Sequence, residues 1–345
     1  QERAKRTVLR TTQRGVRTCL NPTLARRFPT NDRMLRYKRM PHPVFSDTLI
    51  AGTTSKRGNK YAQVYTTSFG WSRAYPMTQK SKAHETLSLM FHRDGVPPTM
   101  ILDNSKEQTL GDFKKKLREA DCHLRQTEPY SPWQQAAEGC IRELKRGVSR
   151  KMIKTGSPKA LWDHCIELEA LIRSSTSNDI YMTDSEPPET IMSGSTADIS
   201  HISEFGWYDW VMFRDNVPTF PDDKLILGRY LGPATDVGSA MTAKILKSNG
   251  QFVCRSTLRH LTVEERQCQV HAKARDVFDV SVKDAIGPSS TAADFPAEDL
   301  TPVYERYDDA VFDENTDYGD IEISPETGDT FIGAEILFPR RGVMT

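Results

Sequence analysis

Two carboxylates in this sequence stand where local structure does not favour them, and a third stands where it could join them. Asp47 lies inside VFSDTLIAG and Asp103 closes MILD, two short runs of β-type composition. Aspartate is depleted in strands, so a pair of them in two strands needs a reason beyond propensity. The third, Glu138, opens a segment in which Ala137, Ile141, Leu144, Val148 and Met152 recur at helical spacing as an apolar stripe. Glu138 falls outside that stripe. Its i+4, i+7, i+8 and i+11 neighbours are Arg142, Lys145, Arg146 and Ser149, a mostly cationic face. Taken singly, Glu138 reads as a solvated helix residue paired with Arg142. Taken together, three converging carboxylates repel one another unless a cation neutralises them. Oxygen ligands of this kind suit Mg²⁺, and two such ions ~3.5–4 Å apart can serve the attacking and leaving oxygens of a phosphoryl displacement.

Convergence requires a particular order of elements. Val44 to Ala51, Tyr61 to Thr67 and Trp71 to Pro76 are β-type runs separated by SKRGNK and Ser68-Phe69-Gly70, which predicts a three-stranded antiparallel meander. Ser81 to Arg93 reads as a helix with Gly95 just past its end. Thr99 to Asp103 is a short apolar strand, Gly111 to Ala120 a helix, Cys122 to Thr127 a fifth strand, and the helix of Glu138 follows a turn containing Tyr130, Pro132 and Trp133. Pro158 to Arg173 is a further helix. The order β-β-β-α-β-α-β-α is a mixed α/β layer arrangement. If the first and fourth strands are neighbours, Asp47 and Asp103 meet at one place on the sheet and Glu138 completes the set.

A second block, 204–265, carries Trp207, Tyr208, Trp210 and Phe213 followed by strand-like runs, with Ser248-Asn249-Gly250 as a hairpin signal of the type I′ kind. A small antiparallel β-barrel is expected there.

At 345 residues two domains plus tails are expected. No run approaches the ~20 apolar residues of a membrane span. The chain begins with Gln and no apolar leader follows, which predicts an internal piece of a longer protein rather than a secreted precursor. Six cysteines without any C-x-x-C spacing argue for a reducing compartment and against a disulfide framework or zinc ribbon. His164-Cys165 and Cys268-x-x-His271 lack second pairs at metal-site spacing and read as structural. Net charge is unevenly spread. Residues 1–46 hold twelve Lys or Arg against two acids, whereas residues 276–345 hold four against seventeen. The first is a basic arm suited to phosphate, the second an acidic linker or largely disordered tail over 266–345.

The combination FSDT, ILDNSKEQ and PYSPWQQAAEGCIRELK resembles the integrase of copia-type retrotransposons, within the retroviral integrase superfamily. The resemblance covers roughly residues 40 to 200, and GRYLGPATDVGSAM through RSTLRHLT is similar to the small β-domain that follows the core in such polyproteins. It implies an RNase H-like core over 41–200, preceded by the basic arm 1–40 and followed by the β-domain. It also implies removal of terminal nucleotides from element DNA and joining of the new 3′-hydroxyl to target DNA, with two Mg²⁺ or Mn²⁺ ions on Asp47, Asp103 and Glu138. Element ends and target DNA would be the partners, a homo-oligomer the working form and the nucleus the site of action. In that setting Arg142, Lys145 and Arg146 are expected to touch DNA, as is Lys106 in the loop after Asp103. Lys114, Lys115 and Lys116 are expected to form a solvated helix face. The Asp103-to-Glu138 step of 35 is one shorter than the commonest family spacing, Gln135 stands where an Asn is frequent, and the family's His-His-Cys-Cys zinc module is absent from this sequence. Two other readings are a DNA-binding remnant without catalysis and an RNase H-like nuclease acting on RNA–DNA hybrids.

Overall fold

VFSDTLI, YAQVYT and SRAYPM pair antiparallel as β1 (Val44–Ile50), β2 (Tyr61–Thr66) and β3 (Ser72–Met77), the expected meander. The computed structural model describes residues 2–13, 37–103, 111–127, 136–177, 185–215 and 225–296. The basic stretch 14–36, the loop holding Lys106, the turn holding Tyr130, Pro132 and Trp133, and the acidic stretch 297–345 lie outside the described residues.

After β3 come α2 (Ala83–Arg93), β4 (Thr99–Leu102), α3 (Gly111–Glu119), β5 (His123–Gln126), α4 (Ala136–Thr155) and α5 (Trp162–Ser175); α1 (Glu2–Arg10) precedes the sheet. The strand order is β3-β2-β1-β4-β5, with β4 and β5 parallel to β1. One face is covered by Leu87 and Met90 of α2 and Phe113 and Leu117 of α3, packed on Val44, Tyr65, Met100 and Leu102. The other is covered by Ile141, Leu144 and Val148 of α4 and by α5, packed on Leu49, Ala62 and Val64. A mixed sheet with helices on both faces is the RNase H-like architecture expected from the sequence. Gly95 is required where α2 turns into β4. Its φ is +118°, and a Cβ there would stand 2.5 Å from the carbonyl oxygen of Lys38.

The second block forms one antiparallel sheet of β6 (Trp210–Arg214), β7 (Leu225–Pro233), β8 (Ala243–Leu246), β9 (Phe252–Arg255) and β10 (Leu258–His260), in the order β10-β6-β7-β8-β9. The β8–β9 hairpin is present, but its turn is not type I′. Gly250 has φ +78° and donates to the Lys247 carbonyl, while Asn249 keeps a negative φ and accepts from the Gln251 N–H. Only the glycine takes the left-handed conformation, the pattern of a type I turn closed by a glycine.

The two blocks share a core. Leu161, Cys165 and Leu168 belong to the same buried cluster as Phe205, Trp207, Tyr230 and Leu231. The boundary expected between residues 200 and 204 coincides with a change of sheet within one buried cluster. Of the stretch 266–345, expected as a largely disordered linker or tail, residues 266–296 are described, and they begin with helices. Val263–Gln267 and Gln269–Ala285 are helices, α8 and α9 once α6 (Pro188–Ser193) and α7 (Ser200–Ser203) are counted. Phe278 and Val282 of α9 are buried, Phe278 stands edge-on to Trp210 at 5.1 Å, and Asp279 accepts from Arg229 at 2.9 Å. Two apolar residues at helical spacing, together with the Asp279–Arg229 pair, dock it. The N-terminal arm is also partly tied down. Arg3 Nε donates to the Ser177 carbonyl at 3.0 Å and Arg10 pairs with Glu186, so those cations serve the fold. Among the described residues no helix is long and apolar enough to cross a membrane.

His164 and Cys165, read as structural, are both buried in α5. Burial, followed by the nearby Arg57, lowers the His164 pKa from 6.5 to about 4. The folded chain thus refuses a proton that the unfolded chain accepts below pH 6.5. Stability is expected to fall as pH drops from 6.5 toward 4, by up to about 3 kcal/mol. Urea titrations of the wild type and His164→Gln across that window should show the decline flattened in the variant.

Candidate active site

The register of β1 against β4 brings the two aspartates together. Ser46 pairs with Leu102 in parallel, and Asp47 and Asp103 are the next residue on each strand. Asp47 also pairs with Val64, whose side chain belongs to the cluster beneath α4. Strand alternation then places Asp47 and Asp103 on the face of the sheet that α4 covers. On the opposite face Gln63 Nε2 donates to Ser46 Oγ at 2.6 Å and Thr48 Oγ1 donates to Gln63 Oε1 at 2.8 Å. This chain locks β1 against β2 on both sides of Asp47, so its position is fixed by residues that face away from it.

Glu138 is exposed in the first turn of α4, where the helix dipole favours an anion. Ala137, Cys140, Ile141 and Leu144 are buried and hold that end of the helix on the sheet. Electrostatics link the three acids. Burial raises the Asp47 pKa above its ordinary value, and the negative charges of Asp103 and Glu138 raise it further. The Thr48 N–H, donating to Asp47 Oδ1 at 2.6 Å, and the Lys80 ammonium act the other way. Asp47 is half-buried and Asp103 exposed.

As donors, three carboxylates on two rigid strands and a helix end fit a hard divalent cation, which would relieve the repulsion at Asp47. Among the described residues, however, no group of three His, Cys, Asp or Glu side chains stands close enough to enclose an ion in this arrangement. The donor chemistry fits a metal; the spacing needs to close around it.

Asp47→Asn is therefore expected to raise the melting temperature in EDTA at neutral pH. Asp47 in the folded chain ionises above its unfolded pKa, so its ionisation costs stability as pH rises through that window and at every pH beyond it. Differential scanning fluorimetry from pH 4 to 8 should show the gap between variant and wild type widening with pH and narrowing when Mn²⁺ is added.

The cationic face of α4 is shorter than the sequence spacing implies. Arg142 and Lys145 are exposed, whereas Arg146 is 2% exposed and pairs with Glu143 at 2.7 Å. Position i+8 stands roughly 80° round the helix from Glu138, far enough to turn inward. The expectation that Arg146 belongs to an outward DNA-facing surface is corrected: its guanidinium lies inside the protein. Glu143, which also lies 3.8 Å from Arg173, is part of that buried pairing. Of the three lysines of α3, Lys115 is exposed near Glu119, but Lys116 reaches the His84 carbonyl at 2.9 Å and Lys114 lines a groove.

One residue near the acids was not anticipated. Arg125 on β5 pairs with Ile101, which pairs with Phe45, so it shares the face of Asp47 and Asp103, and it is exposed. Its only sequence signal was an arginine within a predicted strand.

No protein-family model matches the chain, and no curated protein matches it. Among solved structures, the catalytic core domain of BIV integrase is similar at 14% identity and TM-score 0.35, over 44% of this chain and 94% of that one. A chain of the simian T-cell lymphotropic virus intasome in complex with PP2A regulatory subunit B56 gamma is similar at 13% identity and TM-score 0.36, over 64% of this chain and 81% of that one. Likenesses at this level say nothing of reaction, metal or DNA.

Proposed function

We propose that the chain is a polynucleotidyl transferase, the integrase portion of a copia-like retrotransposon polyprotein, acting in the nucleus on element ends and target DNA. The observation that supports this is the convergence of Asp47, Asp103 and Glu138 on one face of an RNase H-like sheet, felt as charge repulsion at Asp47. Mg²⁺ or Mn²⁺, two ions held by these acids, would supply charge neutralisation at the attacking and leaving oxygens of an in-line displacement. Asp47 is the most enclosed of the three and sets the depth of the site; Asp103 and Glu138 are its exposed rim. Arg142 and Lys145, one and two turns along the helix from Glu138, would hold phosphates of the bound strand.

In the first reaction water cleaves a phosphodiester near the element terminus, leaving a 3′-hydroxyl on the element and a 5′-phosphate on the released nucleotides. In the second that hydroxyl attacks a target phosphodiester, forming a new one and releasing a target 3′-hydroxyl. Bonds broken and formed balance in each step. Joining two ends to one target calls for more than one copy of the chain.

The test is an end-joining assay with the full chain, labelled element ends and plasmid target. Joining is expected with Mg²⁺ or Mn²⁺ and not in EDTA. No joining with either ion, by folded protein that binds DNA, would remove the reading.

A second reading is favoured by the spacing of the acids, which does not enclose an ion among the described residues: a DNA-binding remnant without catalysis. Mn²⁺ calorimetry separates the two. Binding that depends on all three acids belongs to the enzyme, and DNA affinity without Mn²⁺ binding belongs to the remnant.

A further inference from the structure

Among the described residues, strand β5 is one of the two edges of the first sheet. An exposed edge offers unpaired N–H and C=O groups, and proteins commonly guard it with charge. Here the charge is arranged on both faces of the edge. On the side of the carboxylates stands Arg125, exposed. On the opposite side a groove of about 940 Å³ runs between α3 and β5, lined by Arg39, Lys114 and Arg118, with Leu124 in its floor. Asp121, the one acid among the described residues lining it, is engaged by Arg39 at 3.4 Å. Lys114 and Arg118 are one helical turn apart on α3 and have no acid partner among the described residues; nor has Arg125. Phe113 and Leu117 anchor the same helix in the core, so these cations are carried on a fixed support.

We infer that the β5 edge is a phosphate-binding rail for duplex DNA, gripping one backbone by Arg125 on one face and by Lys114 and Arg118 on the other, and leading it onto the carboxylates. The inference rests on reading the site as one that acts on DNA. The strand carrying Asp103 lies one strand away, roughly 4.8 Å, so a duplex that reaches the acids also covers the edge. Cations with no acid to satisfy gain most from a polyanion, because each phosphate they neutralise releases a condensed counterion. Edge protection alone does not call for a groove of this size beside the charges.

The experiment measures affinity for a fluorescent 30-base-pair duplex by anisotropy across a salt series, without divalent ions, with all variants built in the full-length Asp103→Asn chain. The slope of log K against log salt is expected to shrink by about 2 for the double variant Lys114→Gln with Arg118→Gln, and by about 1 for Arg125→Gln. Lys273→Gln on α9 should leave the slope unchanged, and the charge-conserving pair Lys114→Arg with Arg118→Lys should retain it. Unchanged slopes in the neutralised variants overturn the inference. So does new self-association of those variants at unchanged DNA affinity, which would assign the charges to edge protection. Absence of joining activity leaves this result untouched, since binding is read without metal; conversely, the same neutralisations made in the wild-type chain, with Asp103 present, should leave Mn²⁺ binding by the three acids intact.

Discussion

Asp103→Asn is expected to abolish DNA joining while leaving fold and DNA affinity in place. The residue is exposed just beyond the end of β4, so the strand's pairing with β1 and β5 does not depend on its charge. Asparagine keeps the volume and removes the anion. Metal-assisted stabilisation of a phosphoryl-transfer transition state is worth several kcal/mol, and each ~1.4 kcal/mol is tenfold in rate. The loss should therefore be about 10³-fold or more. Single-turnover joining of labelled ends with Mg²⁺ reads the chemistry, a thermal melt the fold and anisotropy the binding. Joining by Asp103→Asn at the wild-type rate would show that the acids are not the reacting site, however well they converge.

The second large effect is expected far from the acids, from Arg73→Met. Arg73 is 5% exposed and ties its own strand β3 to two other elements, the end of α2 and α6. Its Nε donates to Asp94 Oδ1 at 3.0 Å, its Nη2 to Glu189 Oε2 at 2.7 Å and its Nη1 to the Ser72 carbonyl at 3.0 Å. Tyr75 donates to Asp94 from its hydroxyl and Trp71 donates to Glu189 from its indole nitrogen, and the guanidinium lies over the Trp71 ring at 4.7 Å. The two acids raise the Arg73 pKa despite its burial. Methionine fills similar space but strands the Asp94 carboxylate, whose side chain is 8% exposed. Breaking a buried pair by removing one partner costs about 3–5 kcal/mol, because the remaining charge keeps its desolvation penalty without its partner. Urea denaturation should register a loss of that size. Adding Asp94→Asn should restore part of it, since the stranded charge is then removed. A loss below 1 kcal/mol in the single variant would mean that water reaches Asp94 and the network is less enclosed than its geometry indicates.

Much of the site was legible in one dimension. The meander, the strand ending at Asp103 and the helix opening at Glu138 each follow from local periodicity and turn chemistry, and the poor fit of aspartate to a strand marked the acids. Arg146 was not legible. Its spacing from Glu138 matched a surface face, but Glu143 and the neighbouring helix α5 drew it inward, and nothing local records which helix will stand there. The docking of α9 was hidden for a related reason: the acidic composition of the longer stretch it leads into outweighed two buried residues whose partners, Trp210 among them, lie far back in the chain. The turn at Gly250 shows the same limit on a smaller scale, where Asn-Gly announced a hairpin and the strands it joins chose the turn type.

The sequence by itself determined which acids are present, the elements that carry them and the cationic start of α4, because propensity, alternation and helical period act over a few residues. Only the tertiary structure decided that β1 and β4 are parallel neighbours in a register that puts Asp47 beside Asp103, and that Arg125 shares their face while Arg146 does not. Strand order and helix packing are set by burial summed over distant segments. A one-residue change of register would turn Asp47 to the other face of the sheet without altering any local signal.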